Sequence, residues 1–156
     1  LTAVPAAGGL PSTVMCTRPV PANFPAGESS LIEQKRTGIM IKMVMTLKRR
    51  EGMTHDEFTH YQRNVHRPLL MSIPEAEQYI RRFVVSYPVP VPNCPEPDYD
   101  SVVETWFDTM DDLNALLFSE NFLKTVDPDH KNFVDLNSFG SIISEEEVVI
   151  GADLTG

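Results

Sequence analysis

Cationic charge is scarce in this chain. Thirteen Lys and Arg stand against twenty-two Asp and Glu over 156 residues, giving a formal net charge of −9 and a sequence pI of about 4.8. A surface of that sign repels phosphate backbones, so nucleic acid is not an expected partner. The basic residues cluster once, at Lys48-Arg49-Arg50, which reads as a solvated strand end. Cysteine is scarcer still. Cys16 and Cys94 make neither a CxxC metal pair nor a disulfide framework, so a reducing, cytoplasmic setting is expected, with one disulfide between them the alternative. No apolar run approaches the roughly 18 residues of a membrane-spanning helix. The first residues show no basic stretch followed by an apolar core, so no secretory signal is expected in them.

Several catalytic motifs are missing too. There is no HExxH, and His55, His60 and His66 are spaced by five and six rather than by the four that puts two ligands on one helix face. No Gly-rich phosphate loop and no GxSxG elbow occur. Neither a metal nor a cofactor is expected, and a nucleophilic hydrolase lacks its residues.

What is present divides the chain. Residues 1–38 are punctuated by Pro5, Pro11, Pro19, Pro21 and Pro25 among Ala, Gly and Ser, and read as an irregular arm. Residues 39–151 read as one domain and 152–156 as a tail. Ile39, Ile41, Met43, Met45 and Leu47 alternate with Met40, Lys42, Val44 and Thr46, the period of a strand. Thr54-His55-Asp56-Glu57 is a capping box that opens a helix. Phe58, Tyr61, Val65 and Leu69 then form its apolar stripe, and Pro68 ends or kinks it close to His66. Tyr79–Tyr87 and Val102–Phe107 read as further strands, separated by a Pro-rich extended loop. Thr109 and Asp112 cap a second helix, and Asp127-Pro128 opens a short third one. Ser138–Ile150 supplies the last strand, broken at Glu145-Glu146-Glu147.

The order β-α-β-β-α-β is the ferredoxin-like pattern, an α+β fold with a four-stranded antiparallel sheet and helices on one face. The other face then lies open with apolar residues on it, which predicts a homodimer that covers it.

Histidine is the side chain whose charge changes most readily near neutral pH. At 100° per residue, His66 sits about 80° from the centre of the stripe, on the border between core and solvent. Near a helix C-terminus the macrodipole favours its protonated form. Spacing alone fits a helix cap as well as a catalytic acid or base. Tyr61, on the stripe, reads either as core packing or as a donor to a substrate oxygen. His55 and His60 are expected in solvent, and His130 near a helix N-terminus. Lys42 reads as a rim lysine, and Asp129 and Asp135 as capping or solvated carboxylates.

The run Phe58-Thr59-His60-Tyr61-Gln62-Arg63-Asn64-Val65-His66-Arg67-Pro68-Leu69, preceded by Lys48-Arg49-Arg50-Glu51-Gly52-Met53-Thr54, resembles the signature of the EthD family. The likeness continues through Val103–Asp108, Asp129–Asp135 and Ser144–Ile150, and covers about residues 38–151. It implies a dimeric α/β-barrel protein of the ferredoxin-like kind with a pocket between sheet and helices. The family's helix carries Tyr-Trp before the histidine, whereas Gln62 follows Tyr61 here, so a polar group replaces an aromatic wall. The members it resembles are fungal polyketide-pathway proteins labelled dehydratases.

On that resemblance His66 and Tyr61 are the candidate catalytic pair. Phe58, Gln62, Val65, Leu69, Trp106, Phe118 and Phe122 are the candidate pocket lining for a small hydrophobic or aromatic substrate. The implied chemistry is cofactor-free proton transfer, as a lyase (dehydratase) or cyclase of secondary metabolism. His66 moves the proton and Tyr61 holds the carbonyl oxygen. Two other readings share the site: a cofactor-free anthrone-type monooxygenase, and a binding protein for a hydrophobic metabolite or haem with His66 as ligand.

Overall fold

The computed structural model describes residues 40–147 and 149–150. The expected arm at 1–38 and the tail at 152–156 lie outside them.

Alternation in the sequence sets the sheet. Strand β1 (Ile41–Leu47) runs antiparallel to β3 (Ser101–Phe107) on one side and to β4 (Gly140–Glu145) on the other. Strand β2 (Arg82–Ser86) pairs antiparallel with the outer edge of β3, so the spatial order is β2-β3-β1-β4. This is the ferredoxin-like sheet. Strand β2 is shorter than the expected 79–87, because Pro74 opens a helix that runs to Tyr79. Strand β4 ends at Glu145, at the start of the acidic run.

The period of two sorts side chains between the faces. Ile41, Met43, Met45 and Leu47 face the helices, opposite Phe107, Thr105, Val103 and Ser101. The open face carries Lys42, Val44 and Thr46, opposite Trp106, Glu104 and Val102. It is less apolar than expected. Lys42 Nζ lies 2.6 Å from Glu104 and 2.9 Å from Glu146. Lys42 and Arg82 each lie over the Trp106 ring, 4.7 Å from its centroid.

The long helical run opens as the sequence predicts. Thr54 Oγ1 accepts from the Glu57 backbone N–H at 3.2 Å, and Glu57 accepts from the Thr54 N–H at 2.8 Å. Helix α1 (His55–Tyr61) then widens into a π turn (Gln62–His66) and resumes as α2 (Arg67–Met71). Pro68 does not stop it. It falls in the first turn of α2, where a missing N–H is tolerated, and the irregularity appears as the π turn ahead of it. Helix α3 (Pro74–Tyr79) follows. Helix α4 (Met110–Leu117) begins at Thr109, whose Oγ1 accepts from the Asp112 N–H at 3.1 Å. A second π turn (Phe122–Val126) passes directly into a 3-10 helix (Asp127–Asn132). The expected short helix does begin at Asp127, with Pro128 in its first turn, but Asp127 is its first residue rather than its cap. Val126 before it is already helical, and no side chain caps the junction.

Two apolar clusters fill the space between helices and sheet. One gathers Ile41, Met43, Leu70, Phe107, Leu116, Phe122 and Val126. The other gathers Leu47, Phe58, Val103, Phe133 and Val134.

Beyond the second cluster, buried Asp100 ties strand to helix. It accepts from the Arg49 N–H at 2.7 Å, from Arg49 Nη1 at 2.6 Å and from His55 Nδ1 at 2.9 Å. His55 is thus half-buried and bonded, not simply solvated as expected. Burial alone would raise the Asp100 pKa, but these donors outweigh it and hold the carboxyl below its ordinary value. Removing the acceptor strands them. Asp100→Ala is expected to lower stability by about 1–3 kcal/mol at pH 7, read as the urea midpoint. A loss under about 0.5 kcal/mol, the range of an ordinary surface change, would show that the cluster carries no such load.

Candidate active site

The residues that turn inward along the long helix are not those of the expected stripe. Phe58, Gln62, His66 and Leu70 are the buried ones. They recur at strict intervals of four. On an ideal α-helix such a series drifts by about 40° per step. The π turn at Gln62–His66 takes up the drift and keeps all four on one face. His66 is therefore buried, not at the border.

Its ring lies between the two apolar clusters, 4.7 Å from Phe133 and 4.6 Å from His130 between centroids. Nδ1 lies 2.9 Å from Asp129 Oδ2, which leaves Nε2 as the edge of the ring without a partner among the described residues. Asp129 is held in turn: Oδ1 accepts from the Tyr61 hydroxyl at 2.7 Å and from Asn132 Nδ2 at 2.8 Å. Burial would raise the Asp129 pKa, but the donors His66, Asn132 and Tyr61 outweigh it and hold the carboxyl ionised. His130 is oriented the same way, with Nδ1 donating to the Asp127 carbonyl at 3.0 Å.

Burial dominates the electrostatics of both imidazoles. Desolvation, then the neighbouring His130, pushes the His66 pKa down to about 4, against the upward pull of Asp129. Burial also lowers His130, although the Asp127 carbonyl and the Asp127 and Asp129 charges pull it up. The expected dipole effect does not decide the matter, because the helix runs on to Met71 and His66 is not at its end. At neutral pH His66 is an uncharged imidazole with Nδ1–H directed at a carboxylate. That tautomer puts a lone pair on Nε2, the state of a general base rather than an acid.

A cavity of about 50 Å³ adjoins it. Its walls are mostly apolar and include Met43, Leu70, Phe83, Leu116, Leu117 and Val126. Its polar members are Gln62, His66, Arg67, Thr105 and His130. This space holds a few waters or one small polar group, well short of the roughly 150 Å³ that takes up benzene. An aromatic ligand thus needs the walls to shift. Met43, Met45 and Leu117 are adaptable side chains placed to do so.

Of the expected lining residues, Gln62 and Phe122 border this cavity. Five others lie elsewhere. Phe58 is sealed in the second apolar cluster. Trp106, at 5% exposure, belongs to the opposite face of the sheet. Val65 and Phe118 are 42% and 54% exposed, and Leu69 is only half-buried and stands off the cavity. Tyr61 is not at the cavity either. Its hydroxyl is spent on Asp129, which makes it a positioning group rather than a donor to substrate. His60 is exposed as expected. Asp135 caps a turn, accepting from Ser138 Oγ at 2.8 Å and from the Asn137 N–H at 3.0 Å. Among the described residues no group of three or more His, Cys, Asp or Glu could hold a metal ion, and no helix is long and apolar enough to cross a membrane.

Asp129, His130 and Arg67 are the members of the site that spacing did not single out. Asp129 and His66 are 63 residues apart, so no local pattern joins them. The one available signal is the interval-of-four series, which places two polar residues, Gln62 and His66, on an otherwise apolar face.

Among solved structures, the chain is similar to an EthD family protein of Bacillus halodurans, with 21% identity, a TM-score of 0.55, and 69% of this chain and 99% of the other covered. It is similar to a dimeric protein of ferredoxin-like fold from Bacteroides fragilis, with 15% identity, a TM-score of 0.52 and coverages of 69% and 96%. An EthD-like protein of Ralstonia eutropha matches at 16% identity, a TM-score of 0.51 and coverages of 73% and 96%. These likenesses concern the fold. No curated protein matches. The family model described as the EthD domain matches residues 50–137, which spans both the helix bearing His66 and the turn bearing Asp129, and the chain belongs to the EthD family.

Proposed function

We propose that this protein is a cofactor-independent acid–base enzyme that removes a proton from carbon next to a carbonyl, on a polyketide-derived or phenolic substrate. The observation that carries this is the His66–Asp129 dyad at the cavity wall. It pairs a neutral imidazole, oriented through Nδ1, with a free Nε2 in an apolar enclosure.

The step follows from that state. Nε2 takes the proton, the C–H electron pair becomes the C=C of an enolate, and negative charge moves to the carbonyl oxygen. Where a hydroxyl lies β to that carbonyl, the enolate reforms the C=O as the C–O bond breaks. The proton held by His66 then leaves with the hydroxide as water. The same enolate can instead attack a second carbonyl and close a ring. Dehydration and cyclisation thus share their first half. The mostly apolar walls suit a largely hydrophobic substrate.

We assign the open sheet face to a homodimer contact. Val44, Val84, Val102 and the 62%-exposed Ile142 lie on it, and a relative of the same fold is described as dimeric.

The test uses 2-tetralone, a fused-ring ketone with acidic C–H bonds, in deuterated buffer. The native protein is expected to speed C1 deuterium exchange, followed by NMR, well above the rate given by free imidazole at equal concentration. Exchange should proceed unchanged under nitrogen. No acceleration would sink the proposal, and a strict need for dioxygen would favour the monooxygenase reading.

A further inference from the structure

Removing a proton from carbon leaves negative charge on oxygen, and Tyr61 is not free to meet it, because its hydroxyl already donates to Asp129. Another group must take that role. Among the described residues, Arg67 is the one Lys or Arg that borders the cavity, and its Nε is buried without a partner. It also makes no ion pair among them, unlike Lys42, Arg49, Arg81 and Lys124. Gln62 is 3% exposed, borders the same cavity, and has an Oε1 without a partner among the described residues.

Buried polar groups without partners are costly, and two beside one cavity point to a ligand that satisfies them. The backbone explains why they converge. On an α-helix, positions five apart lie about 140° from each other. The π turn brings them into register, and the Arg67 N–H donates to the Gln62 carbonyl. Gln62, His66 and Arg67 thus share one face only because the helix widens there. Asp129, the carboxylate on the far side of His66 Nδ1, is taken up by His66, Tyr61 and Asn132 and makes no ion pair with Arg67 among the described residues.

We infer that Arg67, with Gln62 beside it, is the oxyanion-holding group of this site, and that the substrate presents an enolisable carbonyl whose oxygen lies against the Arg67 guanidinium. Gln62 serves as the specificity element, bonding a hydroxyl or amine on the same substrate through its unpartnered oxygen. The inference rests on the proton-abstraction reading but makes its own demand. The empty site should prefer an oxyanion to its conjugate acid, whatever His66 does.

The probe is 2-naphthol, whose naphtholate copies the enolate of 2-tetralone and absorbs at longer wavelength. The native protein is expected to bind naphtholate about 10- to 100-fold more tightly than naphthol, the worth of one charged hydrogen bond. Arg67→Gln should abolish that preference and leave neutral naphthol binding within a few-fold. Arg67→Lys, which keeps the charge, should retain most of it. Arg63→Gln, on an exposed arginine stacked over Tyr87, should change nothing. Arg67→Gln should also lower kcat for 2-tetralone exchange by about 100- to 1,000-fold with KM within a few-fold. Equal binding of the two forms by native protein, no binding of either, or a preference that survives Arg67→Gln would each overturn the inference. Because binding is read in His66→Gln as well, a failed preference is distinct from a failed base.

Discussion

Replacing His66 with glutamine is expected to lower the 2-tetralone exchange rate by about 100- to 10,000-fold, the span of a positioned general base. Glutamine nearly preserves the volume and polarity of the buried position but cannot carry the proton. Asp129→Asn should reproduce much of that loss, although Asp129 need not touch substrate. An asparagine can present its amide hydrogen to Nδ1, which stabilises the tautomer with hydrogen on Nε2 and removes the lone pair from the reacting edge. The imidazolium formed during turnover also loses its counter-charge. The two residues act as a unit, so the double variant should fall little below His66→Gln alone. Tyr61→Phe removes one of three donors to Asp129 and should cost far less. Exchange within a few-fold of native in His66→Gln would refute the assignment. A full-rate Asp129→Asn would refute only the dyad.

The fold was legible because its signals are local. β1 alternates residue by residue, Thr54 and Glu57 cap each other within one turn, and Thr109 does the same for Asp112. The site was less legible because its geometry comes from departures from regularity. A stripe drawn at 100° per residue picks Tyr61, Val65 and Leu69, which leaves His66 at the border. A wider turn picks Gln62, His66 and Leu70 instead. Trp106 went astray for a related reason. Its alternation within β3 places it opposite Lys42, on the far side of the sheet from the cavity, yet it is buried there by Lys42 and Arg82. Apolar character marks burial but does not say on which face. Asp129 reads as an ordinary capping acid until the second helical segment folds against the first and sets its Oδ2 on the His66 imidazole, 63 residues away in sequence.

That arrangement has a thermodynamic consequence larger than any single surface contact. In the unfolded chain His66 titrates near its ordinary value of 6.5, and in the native protein near 4. Between those values the unfolded state binds a proton that the native state refuses, so stability falls as pH falls. Each unit of difference is worth about 1.4 kcal/mol, and His66 alone should cost the native protein about 2–3 kcal/mol by pH 4.5. His130, also lowered by burial, adds to the same slope. The carboxylates fall in other windows. Asp100 and Asp129, both held below 3.8, surrender their contribution only at still lower pH. Asp127, raised by burial despite His130, works in the opposite direction near the lower end of the range. Urea midpoints at pH 7.0, 5.5 and 4.5 should therefore fall more steeply for the native protein than for His66→Gln, with the gap opening below about pH 6.5. The slopes, not the absolute stabilities, carry the comparison, because glutamine alters packing at every pH alike. Parallel slopes would mean that His66 accepts its proton in the folded state as readily as in the unfolded one. It would then be a cation beside Asp129 in mildly acidic solution, and its role as a neutral base poised at the cavity would have to be given up there.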